Sequence, residues 1–149
     1  MVRSSPRSIR KVSFLFLVFC TAFALLLPFQ ASAKAVKPGT LTFSQLAYNV
    51  AENKGSVTIT VERVGGKDGQ VSVDYCDCSL TAAVGVDFGH VSGTLVFKDG
   101  ETKKTFTIPI IDDKKKELTE AFTIHLKNPT GGATIGPIFL GFVNIWDND

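Results

Sequence analysis

The sequence predicts an all-β domain, an immunoglobulin-like antiparallel two-sheet β-sandwich of about seven strands. Three observations carry that prediction. From residue 39 onward apolar residues recur with period two, the runs are filled by β-branched and aromatic side chains, and clusters of Gly, Pro, Asn and Asp separate them. No stretch of useful length has helical periodicity.

The runs fall at residues 40–44 with 47–51, then 56–64, 70–78, 93–98, 102–111, 119–127 and 138–146. Turn chemistry joins them: Glu52-Asn53-Lys54-Gly55, Gly65-Gly66-Lys67-Asp68-Gly69, Asp99-Gly100 and Asn128-Pro129-Thr130-Gly131-Gly132. Alternation assigns Val57, Ile59 and Val61 to the core, with Val71, Val73 and Tyr75, Leu95 and Phe97, Phe106, Ile108 and Ile110, and Phe122, Ile124 and Leu126. Trp146, near a strand end, reads as an edge of that core.

Residues 1–33 read as a signal peptide: Arg3, Arg7, Arg10 and Lys11 precede an apolar run, and Ala31-Ser32-Ala33 is a small-x-small cleavage site. Residues 34–38 then form a short linker and residues 39–149 the domain. The expected location is secreted, periplasmic or extracellular, with a membrane-anchored chain as the alternative if the segment stays uncleaved. Cys20 lacks the small residues that precede a lipid-modified cysteine, and cleavage leaves no membrane span. Cleavage also removes four of the 16 basic residues and none of the 14 acidic ones, so the mature chain carries 12 against 14, a net charge of −2. No basic patch with interleaved aromatics remains to hold nucleic acid.

The acidic residues are unevenly placed. Asp112, Asp113, Glu117 and Glu120 crowd the connection between two of the longest runs, where they repel one another unless solvated or bound to a cation. In a sandwich, alternate connections lie at the same end. Glu52, Asp87 and the terminal Asp147 and Asp149 join those four, so eight of the 14 acidic residues converge on one pole. The opposite loops hold Asp68 and Asp99, each beside a lysine. Ca²⁺, which takes about six to eight oxygen ligands in a flexible geometry, is the ion this set suggests.

These residues also carry a likeness in order. Phe43, Tyr48, Val50, Glu52 and Gly55 are followed by Thr81-Ala82, Gly85 and Asp87-Phe88, then by Gly93, Leu95, Phe97 and Gly100-Glu101. Ile110-Ile111-Asp112-Asp113, Glu117, Glu120 and Phe122 come next, and Ile145, Asp147 and Asp149 close the series. Over residues 39–149 the pattern resembles the Calx-beta domain, a family named for sodium/calcium exchangers and found in integrin β4 and in extracellular bacterial proteins. The resemblance implies a β-sandwich whose loops at one end bind Ca²⁺. The matching ligands are Glu52, Asp87, Asp112, Asp113, Glu117, Glu120, Asp147 and Asp149, with the main-chain carbonyl of Lys115. Two departures reduce the local negative field: Asn148 stands where calcium-binding members often carry a third consecutive aspartate, and Lys114, Lys115 and Lys116 adjoin the cluster.

Cys76 and Cys78 have no counterpart in that pattern. Two residues apart on a strand, their Cα atoms lie about 7 Å from one another, so a direct disulfide needs a local bend. An exported context favours oxidation. A strained bridge, two free thiols, and a metal or redox role are the three readings, although Asp77, His90 and His125 do not give a recognisable zinc spacing. Catalysis is not expected: the histidines are isolated and there is no nucleophile elbow or phosphate loop. What remains is an exported calcium-binding module with a structural, adhesive or interaction role. The alternative is a calcium-independent sandwich whose strand edges or 128–137 loop contact another extracellular protein or a surface component.

Overall fold

The structure, a computed structural model, describes residues 34–149. The proposed signal peptide therefore lies outside the described residues. Nine strands build two sheets: β1 (Thr40–Phe43), β2 (Ala47–Ala51), β3 (Ser56–Val64), β4 (Val71–Ser79), β5 (Ser92–Phe97), β6 (Lys103–Pro109), β7 (Glu120–Lys127), β8 (Thr134–Ile135) and β9 (Leu140–Trp146). One sheet has the order β6-β3-β1-β8 and the other β2-β9-β7-β4-β5.

Both sheets are mixed, which corrects the antiparallel expectation: β1 pairs with β8 and β2 with β9 in parallel. The first run is divided between the sheets and does not form a hairpin. After Phe43 the chain crosses over, tied by Ser44 N–H to Thr60 O on one side and by Phe142 N–H to Leu46 O on the other. The crossing lets one short segment supply both layers. Leu41 and Phe43 fill the core from one sheet, and Tyr48 and Val50 from the other.

Period-two alternation places the rest. Ile59, Val61, Val73, Phe97, Ile108, Phe122, Ile124 and Val143 are fully buried, while Tyr75 and Leu95 pack against the core with part of their surface exposed. Phe88 stacks on Phe122 with ring centroids 3.7 Å apart and planes within 7°. Because Val143 and Ile145 point inward, the next residue points out: Trp146 is 56% exposed and is not an edge of the core.

Arg63 is buried at the pole opposite the acidic residues, where it donates to the carbonyls of Pro38, Asp68 and Lys98 at 2.6, 2.8 and 3.3 Å. Lys37 is also held, its N–H 3.0 Å from Asp68 Oδ2. The end of the expected linker is thus bonded to the sandwich. Of the three readings of Cys76 and Cys78, the strained bridge does not form; both are free. The bend it requires is absent because β4 stays in register with β7 through Cys76↔His125 and Cys78↔Thr123.

Candidate metal centre

Each part of the acidic pole is set by a local turn. After β2, Glu52 opens a 3-10 turn that closes when Gly55 N–H reaches Glu52 O at 3.2 Å, and Gly55 takes φ 69°, a conformation that glycine adopts without steric cost. The β4–β5 connection turns at Gly85, φ 82°, whose N–H donates to Phe88 O. That turn aims Asp87 inward. Its Oδ2 accepts the Ala83 N–H at 2.6 Å, and its carbonyl accepts the Ile111 N–H at 2.9 Å, which draws the acidic β6–β7 connection against it.

The last strand completes the pole. Asp147 Oδ2 accepts the N–H of Glu117 at 2.9 Å and its Oδ1 the N–H of Asp149 at 3.0 Å. Asn148, read from the sequence only as a weakened position, has a structural role: its Oδ1 accepts the Asn53 N–H at 2.8 Å and clasps the 3-10 turn to the end of β9. An amide side chain does this without adding charge, a role that sequence alone does not reveal.

Asp87, Glu117 and Glu120 offer carboxylate oxygens that all lie within 4.8 Å of one another. Oxygens bound to one Ca²⁺ at 2.3–2.6 Å are at most about 5 Å apart, so this triad fits one ion. Glu52 is 4% exposed, and its Oε2 is buried without a hydrogen-bond partner among the described residues. Burial pushes its carboxyl above the usual range, and the charges of Asp147, Asp113, Glu117 and Asp112 push it further. Glu120 is pushed up to about 7, by burial first, then by the hydrogen bond and charge of Asp87, then by the charges of Glu117 and Glu52. Hence Glu52, Asp87, Asp113, Glu117, Glu120 and Asp147 are brought together. Asp112 is exposed and acts only through its charge, and Asp149 contributes its amide to Asp147.

The outer carboxylates are already paired. The amide of Lys115 donates to Asp113 Oδ1 at 2.7 Å, and its ammonium lies 3.3 Å from Asp113 Oδ2 and 3.7 Å from Glu117 Oε1. These contacts hold Asp113 below the usual carboxylate range, and the amides of Asp149 and Glu117 do the same for Asp147. The family resemblance implied the main-chain carbonyl of Lys115 as a ligand. In the structure its side chain lies between two carboxylates, where a cation's charge is in demand.

A pH dependence follows from the inner pair. The Glu120 carboxyl is pushed up to about 7 in the folded chain from the ordinary glutamate value of 4.5 that the unfolded chain keeps. Between those values the folded state binds more protons, so stability falls as pH rises through that window, and Glu52 acts in the same direction. With solvent screening at this half-buried site, the metal-free domain loses about 1–2 kcal/mol between pH 4.5 and 7.5, measured by urea unfolding in EDTA. Equal midpoints at the two pH values would show that these carboxylates are not crowded.

The family model described as the Calx-beta domain matches residues 35–149. The chain belongs to this family. Among curated relatives, this Calx-beta domain is 38% identical over 112 residues to adhesion G-protein coupled receptor V1 of Danio rerio, covering 74% of the chain and 2% of the receptor. It is 42% identical over 87 residues to sodium/calcium exchanger 1 of Canis lupus familiaris, covering 58% of the chain and 9% of the exchanger. The chain thus spans a small fraction of either relative. Among solved structures, the calcium binding domain CBD12 of CALX1.1 superposes with a TM-score of 0.71 at 35% identity, over 73% of this chain and 44% of that one. No helix among the described residues is long and apolar enough to cross a membrane.

Proposed function

We propose that this Calx-beta domain binds Ca²⁺ at its carboxylate pole and acts, once exported and cleaved after Ala33, as a structural or adhesive extracellular module. The observation that carries the calcium reading is the buried, unpartnered Oε2 of Glu52, turned among Asp147, Asp113 and Glu117. A buried carboxylate without a counter-charge is costly, and a divalent cation offsets that cost. Glu52, Asp87, Asp113, Glu117, Glu120 and Asp147 would hold the ion, with Asp112 and Asp149 at the rim and the Lys115 carbonyl as a main-chain ligand. The ion would supply charge neutralisation that stiffens four connected segments; no bond is made or broken. The relatives, an adhesion receptor, an exchanger and a calcium binding domain, support this role.

One observation favours the alternative of a calcium-independent sandwich that contacts another extracellular protein or surface component. The Lys115 ammonium already supplies counter-charge to Asp113 and Glu117. Equilibrium dialysis of the secreted chain, with its N-terminal residue read as Lys34 by sequencing, separates the two readings. At millimolar Ca²⁺ at least one ion is retained per chain, and equimolar Mg²⁺, which demands a small octahedral site and dehydrates reluctantly, fails to displace it. No retained calcium would leave the calcium-independent reading, and a chain beginning at Met1 would remove the proposed cleavage.

A further inference from the structure

Outside the acidic pole, the outer face of the β2 and β9 pair carries the one tryptophan of the chain. Trp146 is 56% exposed, and Asn144, two residues earlier on β9, shares its face. Asn49 of β2 stands opposite Asn144, and Ala51 stands opposite Trp146. Thr119, the residue before β7, joins them around a cavity of about 240 Å³. On the β7 side Ala121 lies opposite Asn144. Both alanines end at Cβ, so the neighbouring strands put no bulk over the indole.

Hydrogen bonding leaves part of this cavity's polar capacity unused. Asn144 Nδ2 donates to Asn49 Oδ1 at 2.9 Å, and among the described residues that is the one hydrogen bond either side chain makes. Each amide carries two N–H donors and a carbonyl oxygen. Asn49 therefore keeps its whole NH2 group, and Asn144 keeps its carbonyl oxygen and a second N–H. Turning both amides round reverses the bond and leaves the same set of groups open. Thr119 Oγ1 adds a hydroxyl with no partner among the described residues.

These features select a class of ligand. None of the four lining residues is charged, so nothing in the lining recognises an anion or a cation by charge. The cavity is smaller than the roughly 300–1,000 Å³ that encloses a drug-sized molecule, and it suits a single ring. The indole offers a flat apolar surface, and the open amide groups lie beside it. A purely apolar ligand would strip water from those amides without replacing its hydrogen bonds, which is unfavourable. A pyranose with equatorial hydroxyls meets both demands: its axial C–H bonds form an apolar face, and each hydroxyl at its rim both donates and accepts. Phe142 lies on the same face of β9 and is 37% exposed, four residues and about 13 Å along the strand from Trp146. A second aromatic surface at that distance suits a chain of sugars better than a single one.

We propose that Trp146, Asn49, Asn144 and Thr119 form a binding site for a neutral polysaccharide of β-linked pyranoses with equatorial hydroxyls. One ring stacks on the indole, and its hydroxyls pair with the two amides and the Thr119 hydroxyl. The site uses none of the carboxylates of the acidic pole and stands independently of the calcium reading.

The test is a titration of the purified chain with cellohexaose, a β-1,4-linked glucose oligomer, at one fixed Ca²⁺ concentration because Trp146 adjoins Asp147. Emission from the sole tryptophan shifts as the oligomer binds, and glucose at the same concentration of rings shifts it less. Calorimetry follows the variants. Trp146→Ala abolishes binding, Trp146→Phe, which keeps a ring, weakens it less, and Asn144→Ala weakens it by about five- to tenfold, as loss of a hydrogen bond does. Asp68→Ala, at the opposite pole, binds as the wild type does. Circular dichroism confirms that the variants fold, and where one does not, the wild-type emission decides. Emission unchanged at millimolar cellohexaose or binding retained in Trp146→Ala would overturn the site. So would a dimer in sedimentation that Trp146→Ala splits, because the face would then belong to a second copy of the chain.

Discussion

Replacing Phe122 by alanine lowers stability by about 3–5 kcal/mol, the range for removing a buried phenylalanine. The side chain is 0% exposed, lies on a central strand between Ser79 of β4 and Val143 of β9, and stacks on Phe88. At roughly 4 °C per kcal/mol for a domain of this size, the melting temperature falls by about 12–20 °C. Phe142, on the outer face of β9 and 37% exposed, loses under about 1 kcal/mol on the same change. Phe88 follows Asp87 and Phe122 comes two residues after Glu120, so the stack also fixes the stems of two acidic side chains. The alanine variant therefore binds Ca²⁺ more weakly as well as melting earlier. Equal costs at the two positions, read from urea midpoints, would mean that the assigned faces of the sheet are wrong.

Millimolar Ca²⁺ raises the melting temperature of the wild-type domain by roughly 10 °C relative to EDTA. An ion that binds only the folded state adds RT ln(1 + [L]/Kd), about 2.7 kcal/mol at a hundredfold excess over Kd. The same conversion of about 4 °C per kcal/mol gives the shift. Glu120→Gln and Asp113→Ala each remove most of it. The two variants differ without metal: Glu120→Gln relieves crowding against Asp87 and raises the melting temperature slightly, whereas Asp113→Ala also discards the Lys115 contacts. Asp68→Ala, at the opposite pole beside Lys37, leaves the calcium shift intact. Coincident wild-type melts in EDTA and in CaCl₂ would favour the calcium-independent sandwich.

Alternation made most of the core legible. Val57, Ile59, Val61, Ile108, Phe122 and Ile124 are buried as period two requires, because each strand presents one face to the opposite sheet. The division of the first run between β1 and β2 was not legible, nor was the two-residue β8, since both are defined by distant partners: β2 by β9, and β8 by β1. Trp146 was misplaced because its position near a strand end was weighed and its parity was not, although Ile145 beside it already claimed the inner face. At the acidic pole, loop order alone gathered the residues. Their ranking into an inner pair, buried Glu52 and half-buried Glu120, and an outer hydrogen-bonded set, Asp113 and Asp147, came only from the turns and the clasp of Asn148 on Asn53.

The parallel pairing of β2 with β9 has a consequence for biosynthesis. β2 is made first and β9 last, yet in the sheet they are neighbours, with β9 inserted between β2 and β7. While the ribosome holds residues 140–146, β2 has no partner in its sheet, β7 has one bare edge, and the core lacks Val143 and Ile145. Completion of that sheet therefore waits for β9, whereas β4 can already pair with β5 and β7.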